Sequence, residues 1–457
     1  MSSRNDDLMQ KIVSFCKRRG FVFPSSEIYG GFANSYSYGP YGTELKNNIK
    51  KLWWKTFVQD REDIVGLDGP IMLNPKLWEA SGHTSGFNDA MVDCKECKKR
   101  FRADHLVAEA TGRNLEGDLK AMSDILKEEK VKCPSCGKSN WTEARNFNMM
   151  FKTEMNGIDE PVYLRPETAG AIFVDFKNVL DSMRVKIPFG IAQIGKAFRN
   201  EIIAGNFIFR LREFEQMEIE YFIDPEAEWE PLFEKWLKTQ EEFVMALGAK
   251  AEDLKRYEHP KEKLSHYSKK TVDIEYNFPF GFSELYGLAH RGDFDLSQHA
   301  KFSGEDLSYL DQVNNRKYIP HVLEPTFGVD RSVLVALISA YTEEAVGEES
   351  RVVLKFPKNI APIKIAIFPL LKNKADLVNK AKEFFDSLKG EFMCEFDDNG
   401  NIGKRYRRQD EIGTPYCVTV DFDTLDNNTV TVRDRDSMAQ ERISIDNLKE
   451  YFTKNLN

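Results

Sequence analysis

Residues 197–220, AFRNEIIAGNFIFRLREFEQMEIE, restrict the fold more than any other stretch of the chain. Charged side chains crowd it, yet Phe, Ile, Leu and Met return between them, the pattern of strands with one polar and one apolar face. The pattern predicts strands over 193–199 and 207–221, with a turn around Ala204, Gly205 and Asn206. Alternate residues of a strand share a face. Arg199 and Glu201 then fall together, and so do Arg210, Arg212, Phe214, Gln216, Glu218 and Glu220 on the return strand. Guanidinium, aromatic ring and carboxylate in that order suit a substrate with three parts. Arginine forks clamp phosphate, a phenyl ring stacks on a base, and a carboxylate holds an amine or hydroxyl. The same residues also fit a solvent-facing hairpin whose charges pair across strands. The aromatic between the charges is what that simpler arrangement does not explain.

Two further stretches favour a shared pocket. YLRPETAGAIF, 163–173, sets Arg165 and Glu167 on either side of a proline. LEPTFGVDRSVLVALIS, 323–339, sets Glu324, Thr326, Gly328 and Arg331 at the mouth of an apolar helix, where small residues allow a charged ligand to approach closely. Each alone is consistent with a turn and a cap; three stretches that each pair Arg with Glu point to one site.

Around this centre the pattern is α+β. Residues 43–60 read as an amphipathic helix through Leu45, Ile49, Leu52, Trp53 and Phe57. IVGLDGPIM, 64–72, reads as strand, turn and strand, with Pro70 at an edge or break. Trp53 and Trp54 fit either core or an oligomer interface. Residues 89–145 look like an insertion, strands run from 160 to 222 and from 271 to 335, and 225–265 reads as helices among them. A linker is expected near 357–362, followed by a compact α/β module in which RYRRQDEIG is a basic turn or short helix. With 457 residues, 41% hydrophobic and 30% charged, the chain is long enough for two or three folded domains. A net charge of −9 argues against wholesale wrapping of nucleic acid while leaving room for a local basic surface. No apolar run reaches membrane-spanning length and MSSRNDDLMQ lacks a signal core, so no membrane association and a cytoplasmic location are expected.

Cys94-x-x-Cys97 and Cys133-x-x-Cys136 are two knuckles, four of seven cysteines, and suit tetrahedral structural Zn²⁺; a folded insert that no longer keeps its metal is the alternative. KRYRRQ, 404–409, places four positive charges around Tyr406, fitting either a solvated face or phosphate and base contact. No histidines form a metal pair. His290 and His299 suit structural hydrogen bonding, and Arg291 is the better pocket candidate.

On these residues the chain resembles the class II aminoacyl-tRNA synthetases, and closely the homodimeric type of glycyl-tRNA synthetase. IVGLDGPIM with its preceding helix resembles the first signature of the class, AFRNE…RLREFEQME the second and FGVDRSVLVALI the third. RPETAG, GDFDLSQH and IGKRYRRQDEIGTPYCVTVDFD resemble stretches of the glycine enzyme. The resemblance covers nearly the whole chain. It implies an antiparallel-sheet catalytic domain over 1–356, carrying the Cys-rich insertion at about 89–145 and the helical one at about 225–265. An α/β anticodon-binding domain over 362–457 would follow. The first signature would build a homodimer interface.

The implied reaction is ATP-dependent attachment of glycine to tRNA(Gly) through glycyl-adenylate, with Mg²⁺. The alternative is a synthetase-like protein that binds ATP and an amino acid without charging tRNA. Arg199, Arg210 and Arg331 would be catalytic. ATP would meet Arg199, Asn200, Glu201, Phe209, Arg210, Leu211, Arg212, Glu213, Phe214, Glu284, Leu285, Gly328 and Arg331. Glycine would meet Glu167, Phe214, Glu218, Glu324 and Thr326. Arg405, Arg407 and Arg408 would contact the anticodon end of the tRNA. Two positions depart from the family: Thr326 stands where serine is common, and the turn IIAGN lacks a Pro-Arg often found there.

Overall fold

The computed structural model describes residues 2–113, 115, 117–202, 205–265 and 267–456, with their side chains except at 2–6, 263 and 349. Its largest element is a sheet of seven strands: β1 Ile64–Gly66, β2 Phe189–Phe198, β3 Glu213–Ile223, β4 Leu254–Glu258, β5 Lys270–Phe278, β6 Gly281–Gly292 and β7 His321–Gly328. Their order is β4-β5-β6-β7-β3-β2-β1, antiparallel throughout except that β1 runs parallel to β2.

Period-two alternation decides what each face of β3 does. Met217, Ile219, Tyr221 and Ile223 join the large core formed with helices Pro40–Trp54, Glu230–Ala246 and Val329–Ala340. Phe222 packs on the other side with Phe173 and Phe176 of helix Ala169–Met183. Phe214, Gln216, Glu218 and Glu220 share that second face. Glu218 lies between Gln193 of β2 and Thr326 of β7, so the charged half of β3 is held in the middle of the sheet, not on a solvent-facing hairpin.

Several sequence expectations change. The return strand begins at Glu213, not 207. Phe207–Phe209 is a short helical turn, because Phe207, Ile208 and Leu211 are drawn into the core and the chain curls to bury them. Arg210 and Arg212 therefore precede the strand and do not continue its ladder. Of the turn expected at 204–206, Ala204 lies outside the described residues, as does Ile203 of IIAGN. Only Ile64–Gly66 of 64–72 is strand; Gly69 is held instead by its N–H donating to Gln193 Oε1 at 2.7 Å. Residues 254–258, expected helical, form the edge strand β4. Trp53 is fully buried against Phe57 and Phe327, which makes it core and not a subunit contact. Trp54 lies over Gly66, where a Cβ would come within 2.4 Å of its ring.

The Cys-rich stretch folds on a core of its own. Strands Arg100–Arg102, Asn88–Asp93 and Arg145–Asn148 pair in that order, and helices Ala103–Thr111 and Leu119–Glu128 pack Leu106, Val107, Met122 and Leu126 around Val92 and Trp141.

The C-terminal part is a five-stranded sheet, ordered Cys394–Phe396, Ile365–Pro369, Tyr416–Val420, Thr429–Asp434, Gln440–Ser444. The first three strands are parallel and the last two antiparallel. RYRRQDEIG belongs to a full helix, Ile402–Ile412. The expected linker is not a loose one: Phe356, Ile360 and Ala361 are buried in the large core, and Asn48 donates to the carbonyls of Ile360 and Ala361.

Candidate active site

A cavity of about 280 Å³ opens where β3, β6, β7 and the start of helix Val329–Ala340 meet. Arg199, Glu201, Phe209, Arg210, Leu211, Phe214, Glu284, Leu285, Thr326, Gly328 and Arg331 line it. Residues from four separate stretches of sequence thus converge on one space. Asn200, Arg212 and Glu213 do not line it. Asn200 donates its backbone N–H to Met149 O, Arg212 donates to Glu201 O and covers the Phe32 ring, and Glu213 is exposed beside Lys196. These three frame the cavity wall.

The arginines are held by their apolar neighbours. Arg199 lies 5.4 Å from the Phe87 ring and 5.3 Å from the Phe214 ring, and its Nε donates to Pro166 O at 3.1 Å. Arg331 sits 4.4 Å from the Phe209 ring and donates to Glu284 O at 2.7 Å. Its charge keeps the Glu284 carboxyl below the usual glutamate range. A second group of residues, absent from the sequence reading, fixes the helix that carries Arg331. Buried Lys46 bonds Glu215 at 2.9 Å and Asp330 at 3.1 Å, and Asp330 accepts the backbone N–H of Glu215 at 2.8 Å. The signal for it was in the sequence as lysines on an otherwise apolar helix, a pattern shared by ordinary solvated faces.

Behind Thr326, which lines the cavity, lies a buried acidic recess; its glutamates Glu218, Glu220 and Glu324, like Glu167, are not themselves part of the cavity lining. Glu218 accepts from the hydroxyls of Thr168 and of Thr326, the latter at 3.2 Å, so both its oxygens are oriented. Carboxylate oxygens of Glu218, Glu220 and Glu324 lie within 4.8 Å of one another. Arg291 answers part of this charge: it donates to Glu324 at 2.7 Å and, with two parallel bonds of 2.8 Å, to Asp295. It is buried against Tyr267 and Phe173.

The Glu167 carboxylate stands 3.4 Å from His83 Nε2, whose ring is fixed by Ser81 at 2.8 Å. Burial works to raise Glu167, but His83, with Arg291 and Arg199 beyond it, outweighs burial and holds the carboxyl at about 2. Glu218 moves the other way, raised by burial and by the Glu167 charge. Carboxyls whose proton affinities are driven in opposite directions by burial and specific charges are typical of functional sites. His83 was missed because nothing in SGHTSG ties it to RPETAG 80 residues away.

Two sequence assignments change. Arg165 does not face the cavity. It is buried, donates to Lys196 O, Gly69 O and Pro70 O, and passes so close beneath Gly195 that a Cβ there would lie 2.1 Å from its Nη2. Arg405 likewise is 1% exposed and donates to Pro369 O, Asp398 O and Gly400 O, because a buried guanidinium must satisfy its N–H groups. Arg408 is bound to Asp397 and Asn399 O, and Arg407 is half-buried on the same helix. His290 and His299 are both buried; His290 Nδ1 accepts the N–H of Gly292 at 3.1 Å, while Nε2 of each ring has no hydrogen-bond partner among the described residues, so the structural hydrogen bonding expected of them is met only in part.

The four cysteine sulfurs also lie within 4.8 Å of one another, with Cys94–Cys136 at 3.6 Å and Cys97–Cys133 at 3.7 Å. The two knuckles are alike. Lys98 N donates to Cys94 O and Gly137 N to Cys133 O, and both residues have positive φ, 59° and 71°. Tetrahedral Zn²⁺ with Zn–S bonds of about 2.3 Å needs sulfurs roughly 3.8 Å apart, so the residues fit that ion.

An antiparallel sheet with three arginines lining a cavity at the ends of its strands, the third at a helix start, is the arrangement expected of a class II synthetase core. The family model described as tRNA synthetase class II core domain (G, H, P, S and T) matches residues 151–341. Anticodon binding domain matches 364–455, and Glycyl-tRNA synthetase insertion domain 1 matches 109–149. The glycine–tRNA ligase of Acetivibrio thermocellus is 55% identical over 97% of this chain and 97% of its own length. That of Clostridium acetobutylicum is 52% identical over 99% and 100%, and that of Bacillus anthracis 52% over 98% and 99%. The chain belongs to the glycine–tRNA ligase family.

Proposed function

We propose that the chain activates glycine with ATP and transfers it to tRNA(Gly). The observation that carries this reading is the buried cluster of Glu218 and Glu324, tied through the Thr326 hydroxyl to a cavity that Thr326 lines together with Arg199, Arg210 and Arg331; Glu167, paired with His83, is the third carboxylate of the reading. Glycine offers only an ammonium and a carboxylate. Carboxylates that surround the ammonium give directional charge-assisted bonds, and the recess leaves the glycine carboxylate pointing toward the arginines.

In the first step a glycine carboxylate oxygen attacks the α-phosphorus of ATP, and the bond to the pyrophosphate leaving group breaks. Arg199 neutralises the α-phosphate and the glycine carboxylate, and Arg210 and Arg331 neutralise the phosphate tail. Positioning and charge compensation supply most of the acceleration. Phe214 and Glu201 take adenine by its face and its edge. Glu284 and Leu285 lie by the ribose, where Glu284 would hold Mg²⁺, which supplies further phosphate neutralisation. In the second step the terminal ribose 3′-oxygen of the tRNA attacks the glycyl carbonyl carbon and AMP leaves. The C-terminal domain reads the anticodon end, with Arg407 and Arg408, half-buried on its basic helix, as contact candidates.

Cys94, Cys97, Cys133 and Cys136 would hold a structural Zn²⁺ that ties the two knuckles of the insertion together. The protein works as a cytoplasmic homodimer; exposed apolar Ile28, Tyr29 and Phe32 offer surface for a second copy, and no helix among the described residues is long and apolar enough to cross a membrane.

ATP–pyrophosphate exchange screened across the amino acids, followed by tRNA charging, tests the reading. Exchange with glycine alone and charging of tRNA(Gly) are expected. Exchange that prefers another amino acid, or exchange without charging, would refute it. Metal analysis and chelation test the cysteine site: one zinc per chain, and a melting transition of the insertion that moves to lower temperature on chelation.

A further inference from the structure

Glu220 is the one residue of the acidic recess that the reading above leaves without work. It lies on β3 two residues beyond Glu218, on the same face, and its side chain is completely buried. Neither of its carboxylate oxygens has a hydrogen-bond partner among the described residues. Buried polar groups are almost always paired, and an ionised carboxylate left bare in a protein interior is far more costly than a neutral one.

Glu324 of β7 and Glu218 of its own strand lie within 4.8 Å of Glu220, and the charges of Arg291 from β6 and Asp295 from helix Phe294–Ser303 also act on it. Arg291 is the cation in that set, and its Nε, Nη1 and Nη2 donate to Asp295 and Glu324, none of them to Glu220. Glu218 already receives hydroxyl donors on both oxygens. Glu324 receives Arg291 on Oε1 alone. Burial raises Glu324 to about 8 even against the Arg291 charge, so carboxyls this close cannot all ionise, and Glu220, with neither a cation nor a hydroxyl donor, is the one that holds its proton most firmly.

We propose that Glu220 is a protonated carboxyl at neutral pH and a positioning residue for the amino-acid pocket, donating its proton to Glu324 directly or through one water, so that Glu324 is held ready for the substrate ammonium. The proposal rests on the glycine reading of the recess. Burial and the Glu324 charge both raise the affinity of Glu220 for its proton. The geometry makes Glu220 a donor, not an ammonium ligand, and the hydrogen bond it gives can be imitated by an uncharged amide.

The experiment compares Glu220→Leu with Glu220→Gln in ATP–pyrophosphate exchange, with thermal melting of each variant. Glu220→Leu removes the donor and is expected to raise the KM for glycine about 30-fold, with the KM for ATP moved less than about threefold. Glu220→Gln restores a donor without a charge and is expected to recover about tenfold of that loss. The infrared spectrum of the wild type at neutral pH should contain the carbonyl stretch of a protonated carboxyl, missing from Glu220→Gln. Glu220→Gln as damaging as Glu220→Leu, a glycine KM indifferent to Glu220→Leu, or a carboxylate band in place of the carbonyl stretch would each overturn the proposal. A wild type that activates no glycine yet keeps the carbonyl band would sink the glycine reading and leave the proton on Glu220.

Discussion

Two sets of arginines in this molecule do opposite things. Arg199, Arg210 and Arg331 come from separate stretches, yet they line one cavity; Arg199 is braced by two aromatic rings and the Pro166 carbonyl, and Arg331 by the Phe209 ring, the Phe209 and Glu284 carbonyls and the Glu284 carboxylate. Arg405 and Arg408 belong to one dense basic run, and their donors go to the protein itself, to backbone carbonyls and to Asp397. Neighbouring Asp410 is likewise spent, ion-paired to both Arg351 and Arg433 in a buried cluster that ties the C-terminal sheet to the strand Glu349–Leu354. Density of charge therefore says little about ligand binding. What distinguishes a site is polar groups held in place with donors or acceptors still turned toward open space.

The sharpest way to break this contrast is Arg199→Ala. It removes a cation that faces the cavity and satisfies only one carbonyl of the fold, so exchange should fall about 10³-fold with the circular dichroism unchanged. Exchange near the wild-type rate would show that the cleft arginines, too, serve the fold.

Arg405→Ala is the converse, with its effect on stability. Three backbone carbonyls lose their donor and a cavity opens in the C-terminal domain. A loss of about 2–4 kcal/mol in denaturant unfolding is expected, with glycine-dependent exchange preserved. A stable variant that charges tRNA poorly would restore Arg405 as a tRNA contact.

Glu167→Gln compares a proposed glycine-binding acid with the spent Asp410. Glu167 has one close partner, His83, and the glycine KM should rise about 10–100-fold with little change for ATP. Equal loss for both ligands would mean that Glu167 only braces the pocket. The pH dependence has a definite sign. A carboxyl held low in the folded state contributes its full stability above the ordinary glutamate value, about 4.3, and loses it as pH falls toward about 2. Glu167→Gln should therefore lower stability at neutral pH and flatten its acid limb between about pH 4 and pH 2. An unchanged acid limb would put the charge pairing of Glu167 in doubt.

The contrast also explains what the sequence could show. Alternation placed Phe214, Gln216 and Glu218 on one face, and β3 bears that out from Glu213 onward, because a strand's period is local. Arg210 broke the ladder because burial of Phe207, Ile208 and Leu211 curls the chain, and that packing is set by residues distant in sequence. The pocket's arginines and glutamates were legible through family resemblance and the recurrence of Arg with Glu. Arg165 and Arg405 were misread for the same reason: a motif shows residue type, and only the fold shows whether the donors are used up. His83, Lys46 and Asp330 were invisible because each acts on a partner far along the chain.

The smallest expected effect is the most informative about specificity. Thr326 lies at the junction of cavity and recess, and its hydroxyl donates to Glu218. Serine keeps that hydroxyl and removes one methyl, so Thr326→Ser separates the two roles. A pocket discriminates one methylene by about 1–3 kcal/mol. If the Thr326 methyl fills the space that an alanine side chain would enter, Thr326→Ser should raise alanine activation about 5–20-fold and change glycine kcat/KM less than about twofold. The comparison to make is alanine-dependent against glycine-dependent exchange in the same preparation. No gain with alanine would show that the methyl packs behind the pocket. The hydroxyl would then be the only part of Thr326 turned toward the ligand, as a spent side chain differs from an open one elsewhere in the cleft.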